Sequence, residues 1–276
     1  MRFDRPVGTL LLLWPTLAAV WIASNGRPSL SLVVIFTLGT IVMRAAGCVI
    51  NDYADRHFDA HVERTRQRPL AQKQIAEVDA LILFGVLLAI ALVLVLFLNR
   101  PTQWLACAGA GIATLYPFTK RWTHLPQLVL GAAFSWGIVM AFAAAGEGVT
   151  DAAWLLFVAS VFWIVAYDTI YAMVDRADDL RIGIKSTAIL FGGADVVIVA
   201  ALQVATVISL TRVGVILGYG VAYFAGIAVA AGLFVYQQRL IRGRDPARCF
   251  AAFGNNVWVG FALFVGTVIE LSLAAP

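Results

Sequence analysis

Charge is what this sequence has least of. Asp, Glu, Lys and Arg make up 13% of its 276 residues, against about 25% in an ordinary soluble domain. Hydrophobic residues make up 61%, and the mean hydropathy is +0.87. That leaves too little polar residue to cover a soluble protein of this size, so a soluble all-α protein with a large core is excluded. Cysteine and histidine are scarce too, with three of each. Cys48, Cys107 and Cys249 are scattered in or beside apolar segments, and no C-x-x-C occurs. Neither a disulfide framework nor a zinc site is indicated. The cysteines are expected to behave as small buried apolar residues. His57 and His61 are four apart but fall in a polar segment, where exposed loop positions are expected.

What the sequence does have is long apolar runs. Nine can be marked, at about 7–24, 29–50, 78–98, 101–118, 125–145, 151–173, 195–211, 213–236 and 252–273. Each is close to the ~20 residues that a helix needs to cross ~30 Å of hydrocarbon. Backbone groups in lipid must be satisfied within the segment, so these runs are expected to be helices. The fold class is therefore all-α, a polytopic membrane bundle of nine transmembrane helices forming a single domain over 1–276. The first run follows a charged start but is longer than a signal-peptide core, and further spans follow it, so it is expected to stay as the first span.

Lys and Arg set the orientation. With the N-terminus in the cytoplasm, seventeen of the twenty fall on the cytoplasmic side, and only Arg27, Arg100 and Arg212 on the other. This bias follows the positive-inside rule for a bacterial inner membrane. It also accounts for the net charge of +4, which gives no support to nucleic acid binding. Trp104, Trp122 and Trp154 fall near span ends, where indoles anchor at the interface.

Two of the longest inter-span segments, 51–77 and 174–194, lie on the predicted cytoplasmic side. Asp55–Asp59 and Asp175–Asp179 both read D-R-x-x-D, each after a span. They suggest a weak internal repeat, about 29–77 and 151–194, presenting two facing helix–loop units. Asn51, Asp55 and Asp59 are four apart and would form one helical stripe; Asp52 lies about 100° round from Asn51. Asp168, Asp175 and Asp179 form a second stripe, with Tyr171 beside it. Stacked carboxylates repel one another, so a cation is expected there. An all-oxygen donor set suits Mg²⁺ or Ca²⁺, and Mg²⁺ commonly completes its shell with substrate phosphates. Arg64, Arg68, Lys120, Arg121 and Lys185 could meet the remaining phosphate oxygens. Arg44 lies inside the second span, seven residues before Asn51 and on the same face. A charge there is costly unless it faces the bundle interior, where it could take an anionic headgroup. The apolar remainder of the bundle would suit a long isoprenoid or acyl chain, and membrane lipid equally.

The segments "NDYADRHFD" and "YDTIYAMVDRADD" resemble the two aspartate-rich motifs of the UbiA superfamily of intramembrane prenyltransferases. "DRPVGTLLLLWPT", "MRAAGCVINDYADRHFDAHVERTRQRPL", "YPFTKRWTHLPQLVLGAAFSWGIVMAFAA" and "YDTIYAMVDRADDLRIGIKSTAILFG" are similar to its 4-hydroxybenzoate polyprenyltransferase branch, from Asp4 to Gly192. The tail "CFAAFGNNVWVGFALFVG" is similar too. The resemblance implies a nine-helix bundle open laterally to the bilayer, with Mg²⁺ bridging both motifs and a polyprenyl diphosphate. It assigns Asn51, Asp55 and Asp59, with Asp175 and Asp179, to the metal. It places Arg44 near the aromatic acid and Tyr116, Lys120 and Arg121 at the polar site. The implied reaction is prenylation of 4-hydroxybenzoate ortho to its hydroxyl, a step of ubiquinone synthesis, with Asp168 or the departing diphosphate taking the ring proton. Another aromatic acceptor (naphthoate, haem or chlorin) and a secondary transporter are the alternatives. A transporter would carry its site near the bilayer midplane, whereas these acidic motifs sit at one face.

Overall fold

The structure, a computed structural model, describes residues 6–62, 65–146 and 148–274. The regular elements are all helices, with no strand among the described residues. The long helices are α1 (Val7–Ala23), α2 (Leu30–Asp55), α3 (Glu77–Leu96), α4 (Arg100–Thr119), α5 (Pro126–Ala145) and α6 (Asp151–Ile182). A short α7 (Thr187–Phe191) precedes α8 (Asp195–Leu217), α9 (Val221–Ile241) and α10 (Pro246–Ala274). Seven of them are long and apolar enough to cross a membrane; α1 is a shorter apolar helix, and α4 is less apolar. The nine predicted spans thus correspond to nine long helices among the described residues, and the chain is a multi-pass membrane protein.

Local chemistry sets where the helices begin and end. Ser29, Asn99, Thr150 and Ser186 cap α2, α4, α6 and α7, each accepting a backbone N–H three residues on. Pro101 sits in the first turn of α4, where it sacrifices no intrahelical bond. Gly146, Gly183 and Gly218 end α5, α6 and α8 in the left-handed conformation.

Two boundaries differ from the sequence reading. The turn between α8 and α9 lies at Gly218–Gly220, so Arg212, expected in a loop, is inside α8 and exposed on its surface. A long cationic side chain near a helix end can carry its charge to the interface. The sixth apolar run, marked to 173, continues as helix through the second acidic motif to Ile182, as the stripe of Asp168, Asp175 and Asp179 requires, and only the residues around α7 separate it from α8.

Helix α6 is the axis of the bundle. Of its most apolar window 61% is buried, against 11% for α3, which lies at the periphery. α6 packs on α5, α8 and α10, burying Ala159, Ile164, Ala166 and Ile170. Its Trp163 indole donates to Asn256 Oδ1 on α10 at 2.8 Å. Gln203, Gln237, Gln238 and Asn255 form a hydrogen-bonded network across α8, α9 and α10. In lipid, small residues and such side-chain bonds hold helices together. α9 and α10 cross at Gly226 and Gly266, where a Cβ on Gly226 would meet Ala262 O at 2.8 Å and Gly266 Cα at 3.2 Å.

That crossing predicts a contrast within one helix. Gly226→Ala should lower the thermal unfolding midpoint in detergent, because backbone must move to admit the methyl group. Gly232→Ala, on the same helix with nothing within 4 Å, should leave the midpoint unchanged or raised, since Ala favours helix by about 0.5–1 kcal/mol.

Candidate functional site

The polar ends of α2, α4 and α6 surround the head of one large cavity, of about 1330 Å³. From α2 and its continuation come Arg44, Asn51, Asp52, Asp55 and Asp59; from α6 come Asp168, Tyr171, Asp175 and Asp179. Tyr116 and Lys120 line it from α4, Arg68 from the loop after α2, and Lys185 from the loop after α6. Both acidic motifs therefore face one space.

The first motif is not the single helical stripe that its spacing predicts. α2 ends at Asp55, the Phe58 N–H turns back to Asp55 O at 2.8 Å, and Asp59 begins a 3₁₀ turn. Tightening from i+4 to i+3 bonds at a helix end is common. It takes Asp59 off the helix, although Asp59 still lines the cavity. The second motif lies on continuous helix, as expected.

Asp55 and Asp59 are 4% and 5% exposed, and each meets a cation. Lys120 Nζ pairs with Asp55 Oδ2. Arg68 Nη1 bridges Asp52 Oδ1 at 3.1 Å and Asp59 Oδ2 at 2.7 Å. Burial pushes the Asp59 carboxyl up from its ordinary value; the Arg68 guanidinium pulls it back, and the Asp55 charge adds to the rise. The second oxygen of Asp55, Oδ1, is buried without a hydrogen-bond partner.

The predicted cations divide. Lys120 and Arg68 are at the carboxylates. Lys185 lines the cavity and donates to Trp122 O at 3.3 Å, while its backbone N–H bonds Lys120 O at 3.2 Å. That backbone bond ties the loop after α6 to the end of α4. Arg121 is a correction: it does not line the cavity. Its guanidinium donates to Ala54 O and lies over the Phe58 and Phe118 rings, locking the ends of α2 and α4 together. Lys120 and Arg121 follow one another at the helix end and point different ways, so only one reaches the site. Arg64 lies outside the described residues.

Arg44 lines the cavity one level below the carboxylates, with Nε buried and unpartnered and its guanidinium donating to Cys48 Sγ. It is close enough to Tyr116 and Tyr167, as is Asp168, to act on them electrostatically. Two contributors were missed in the sequence. Gly8 on α1 lies against the Arg44 guanidinium, which would occupy the place of a Cβ. A glycine inside an apolar run gives no local sign of this. Tyr167 lines the cavity behind Tyr171, and both rings pack on Phe253, the Tyr171 ring at 4.5 Å. Of the cysteines, Cys48 and Cys249 are buried as expected, but Cys107 is exposed. His57 and His61 are exposed.

Below the polar head the cavity is apolar. Gln103, Ala106, Cys107, Ala110, Ala113, Tyr116 and Lys120 fall on one face of α4 and all line it. At the helical rise this wall runs about 25 Å from Lys120 to Gln103. Trp136 of α5 crosses it, donating to Leu105 O at 2.7 Å and seated on Gly109, where a Cβ would lie 2.5 Å from the indole.

The donors present fit a hard divalent cation. They are carboxylate and amide oxygens in two groups, and one buried oxygen of Asp55 has no partner. No three His, Cys, Asp or Glu among the described residues close on one point. This suits a cation held by few protein ligands and completed by substrate, rather than a protein cage.

The fold and cavity define a multi-pass membrane protein whose central cavity is charged at its head and apolar below. The chain belongs to the UbiA prenyltransferase family, which matches residues 12–265. It is 58% identical over 269 residues to the 4-hydroxybenzoate octaprenyltransferase of Hahella chejuensis, covering 98% of this chain and 90% of that protein. With the protein of the same name from Coxiella burnetii it shares 55% identity, over 98% and 94% of the two chains. The apo structure of a UbiA homolog from Aeropyrum pernix K1 matches with a TM-score of 0.85 at 23% identity, covering 98% and 99%. A UbiA homolog from Archaeoglobus fulgidus bound to GPP and Mg²⁺ matches at 0.73 and 21%, covering 97% and 96%.

The Asp55–Lys120 pair should show itself in stability. In chelator, Lys120→Met should cost about 3–5 kcal/mol, because it leaves a buried carboxylate alone. Adding Asp55→Asn should recover most of that loss. Denaturant unfolding of both single variants and the double variant checks it; a double variant no more stable than Lys120→Met would mean that the pair does not carry the energy.

Proposed function

We propose that this chain transfers a polyprenyl group from a polyprenyl diphosphate to 4-hydroxybenzoate, giving 3-polyprenyl-4-hydroxybenzoate for ubiquinone synthesis. The observation that carries this reading is a single cavity whose head holds both acidic motifs and several cations, and whose body is apolar. A diphosphate with a long hydrocarbon tail has that distribution of charge. The near-full-length relatives named for this reaction supply the acceptor.

Asn51, Asp55 and Asp59 from one side and Asp175 and Asp179 from the other would hold Mg²⁺. Bound there, Mg²⁺ would neutralise charge on the diphosphate as it leaves. Lys120, Arg68 and Lys185 surround the same head and meet phosphate oxygens as point charges or forks. The allylic C–O bond breaks and its electron pair leaves with diphosphate. The ring carbon ortho to the hydroxyl then forms the new C–C bond to the allylic cation. Tyr116, Tyr167 and Tyr171 line this level with their rings, and the apolar body below keeps water from the cation. Arg44 takes the acceptor carboxylate, with Gly8 leaving room for the guanidinium. Asp168, in the same stretch of wall, is assigned as the acceptor of the ring proton. The products are the prenylated acid, diphosphate and a proton. The excess of Lys and Arg at the acidic end supports an inner-membrane protein with that end in the cytoplasm.

The direct test is product mass after incubation with 4-hydroxybenzoate and prenyl diphosphates of several lengths. An acceptor panel including naphthoate fixes the acceptor; no product with 4-hydroxybenzoate would end this reading. Asp55→Ala and Asp175→Ala should each lower kcat at least about a hundredfold while the protein stays folded in the membrane. Full Mg²⁺-dependent activity in either would remove that residue from the metal. Gly8→Ala should raise KM for 4-hydroxybenzoate about tenfold, the worth of one charge-assisted hydrogen bond, and leave KM for the diphosphate unchanged. Equal rises in both would mean that Arg44 does not serve the acid.

A further inference from the structure

Both acidic motifs read D-R-x-x-D, and the transfer reading uses only their carboxylates. Asp55, Asp59, Asp175 and Asp179 line the cavity, whereas Arg56 and Arg176 do not. Each arginine instead meets the acidic residue that opens the next long helix. Arg56 Nε lies 2.8 Å from Oε1 of Glu77, the first residue of α3. Arg176 Nη1 donates at 3.0 Å to Oδ2 of Asp195, the first residue of α8. Glu77 is half exposed, but the Asp195 side chain is fully buried. A second guanidinium serves that carboxylate. Arg244, in the turn between α9 and α10, donates to Asp195 Oδ1 from Nη2 at 2.7 Å and from Nε at 3.0 Å. Its Nη2 also donates to Gly193 O at 2.7 Å.

The end of α6 has little else to fix its rotation. Apolar packing thins out after Met173, and from 174 to 182 only Asp179 is buried. Asp175 and Arg176 stand about 100° apart round the helix. Holding Arg176 against the start of α8 therefore sets the direction in which Asp175 and Asp179 point. A buried ion cluster adds little net stability over apolar packing; what this one fixes is a direction. We propose that Arg176 is a positioning residue for the metal: bound to Asp195, which Arg244 holds in turn, it keeps Asp175 and Asp179 aimed into the cavity. Arg56 and Glu77 form the more exposed counterpart at the first motif. The proposal rests on the assignment of these carboxylates to Mg²⁺ in the transfer reading above and adds what aims them.

The experiment measures binding of geranyl thiodiphosphate, an unreactive donor analogue, to the full chain in detergent, with Mg²⁺ and with chelator. The readout is the factor by which Mg²⁺ tightens binding. The sign of its change separates two roles. A cation that acts only through space repels Mg²⁺, so removing it would raise the factor. A residue that aims the ligands should lower it when lost, and Arg176→Met should do so about tenfold or more. Arg244 still pairs with Asp195 in that variant, which favours a folded protein; where it does not fold, Asp195→Asn reads the same loss. Arg181→Met removes the exposed cation near the same helix end and should leave the factor unchanged or raised. Arg176→Lys, which keeps a cation for Asp195, should restore most of the loss. An unchanged or raised factor in Arg176→Met would overturn the proposal and leave the metal assignment standing. A loss in Arg176→Lys as large as in Arg176→Met would overturn the pairing with Asp195 as the cause. No tightening by Mg²⁺ in the unsubstituted protein would overturn the metal assignment itself, and the proposal with it.

Discussion

Buried carboxylates must be compensated, and the polar end of this bundle is organised around that constraint. Removing a carboxylate from water costs several kcal/mol unless a partner offsets it. Asp55 and Asp59 are almost fully buried, at the point where α2 gives way to the following loop. Lys120 reaches Asp55 from α4, and Arg68 reaches back from the loop to Asp52 and Asp59. Each pairing fixes the position of a separate piece of chain. Arg121 closes α4 onto the end of α2, and the Lys185–Lys120 backbone bond draws in the loop after α6. Both acidic motifs face one cavity, and the cations that serve the first of them come from α4 and from the loop after α2.

Much of this was readable from the sequence, and what was not has identifiable causes. Apolar length alone located the long helices, because backbone satisfaction in lipid leaves few alternatives. Arg212 misled because a lone cation in an apolar stretch looks like a turn. The real turn is six residues on, where Gly218 supplies the positive φ. Asp59 misled because a four-residue spacing fits a helix that in fact stops at Asp55. Lys120 and Arg121 could not be separated by position, since only the end geometry of α4 decides which side chain reaches the cavity. Gly8 could not have been found locally. Its meaning lies in Arg44, 36 positions away in the chain and adjacent only in the fold.

α4 shows how the head and body of the cavity are joined. It is less apolar than the seven helices that qualify as spans, because its ends carry Arg100, Pro101, Gln103 and Pro117, while its inner face is lined by small residues. Ala106, Cys107, Gly109, Ala110 and Ala113 bury little surface of their own. They leave the volume that a larger side chain would fill, and Trp136 uses one part of it at Gly109. The same face ends in Tyr116 and Lys120. One rigid helix therefore carries the charge for the head and the clearance for the tail, which fixes the depth of one relative to the other.

That rigidity bears on the chemistry. An allylic cation is captured by whatever nucleophile stands nearest, so its position must be held while water is kept away. The aromatic level formed by Tyr116, Tyr167, Tyr171 and Phe253 lies between the charged head and the apolar body. In the proposed reaction, aromatic rings at this level would meet a developing positive charge favourably. A soluble cleft would have to close a lid to reach the same dryness. Here the surrounding bilayer supplies it, and the carboxylates of both acidic motifs are confined to the polar end of the cavity.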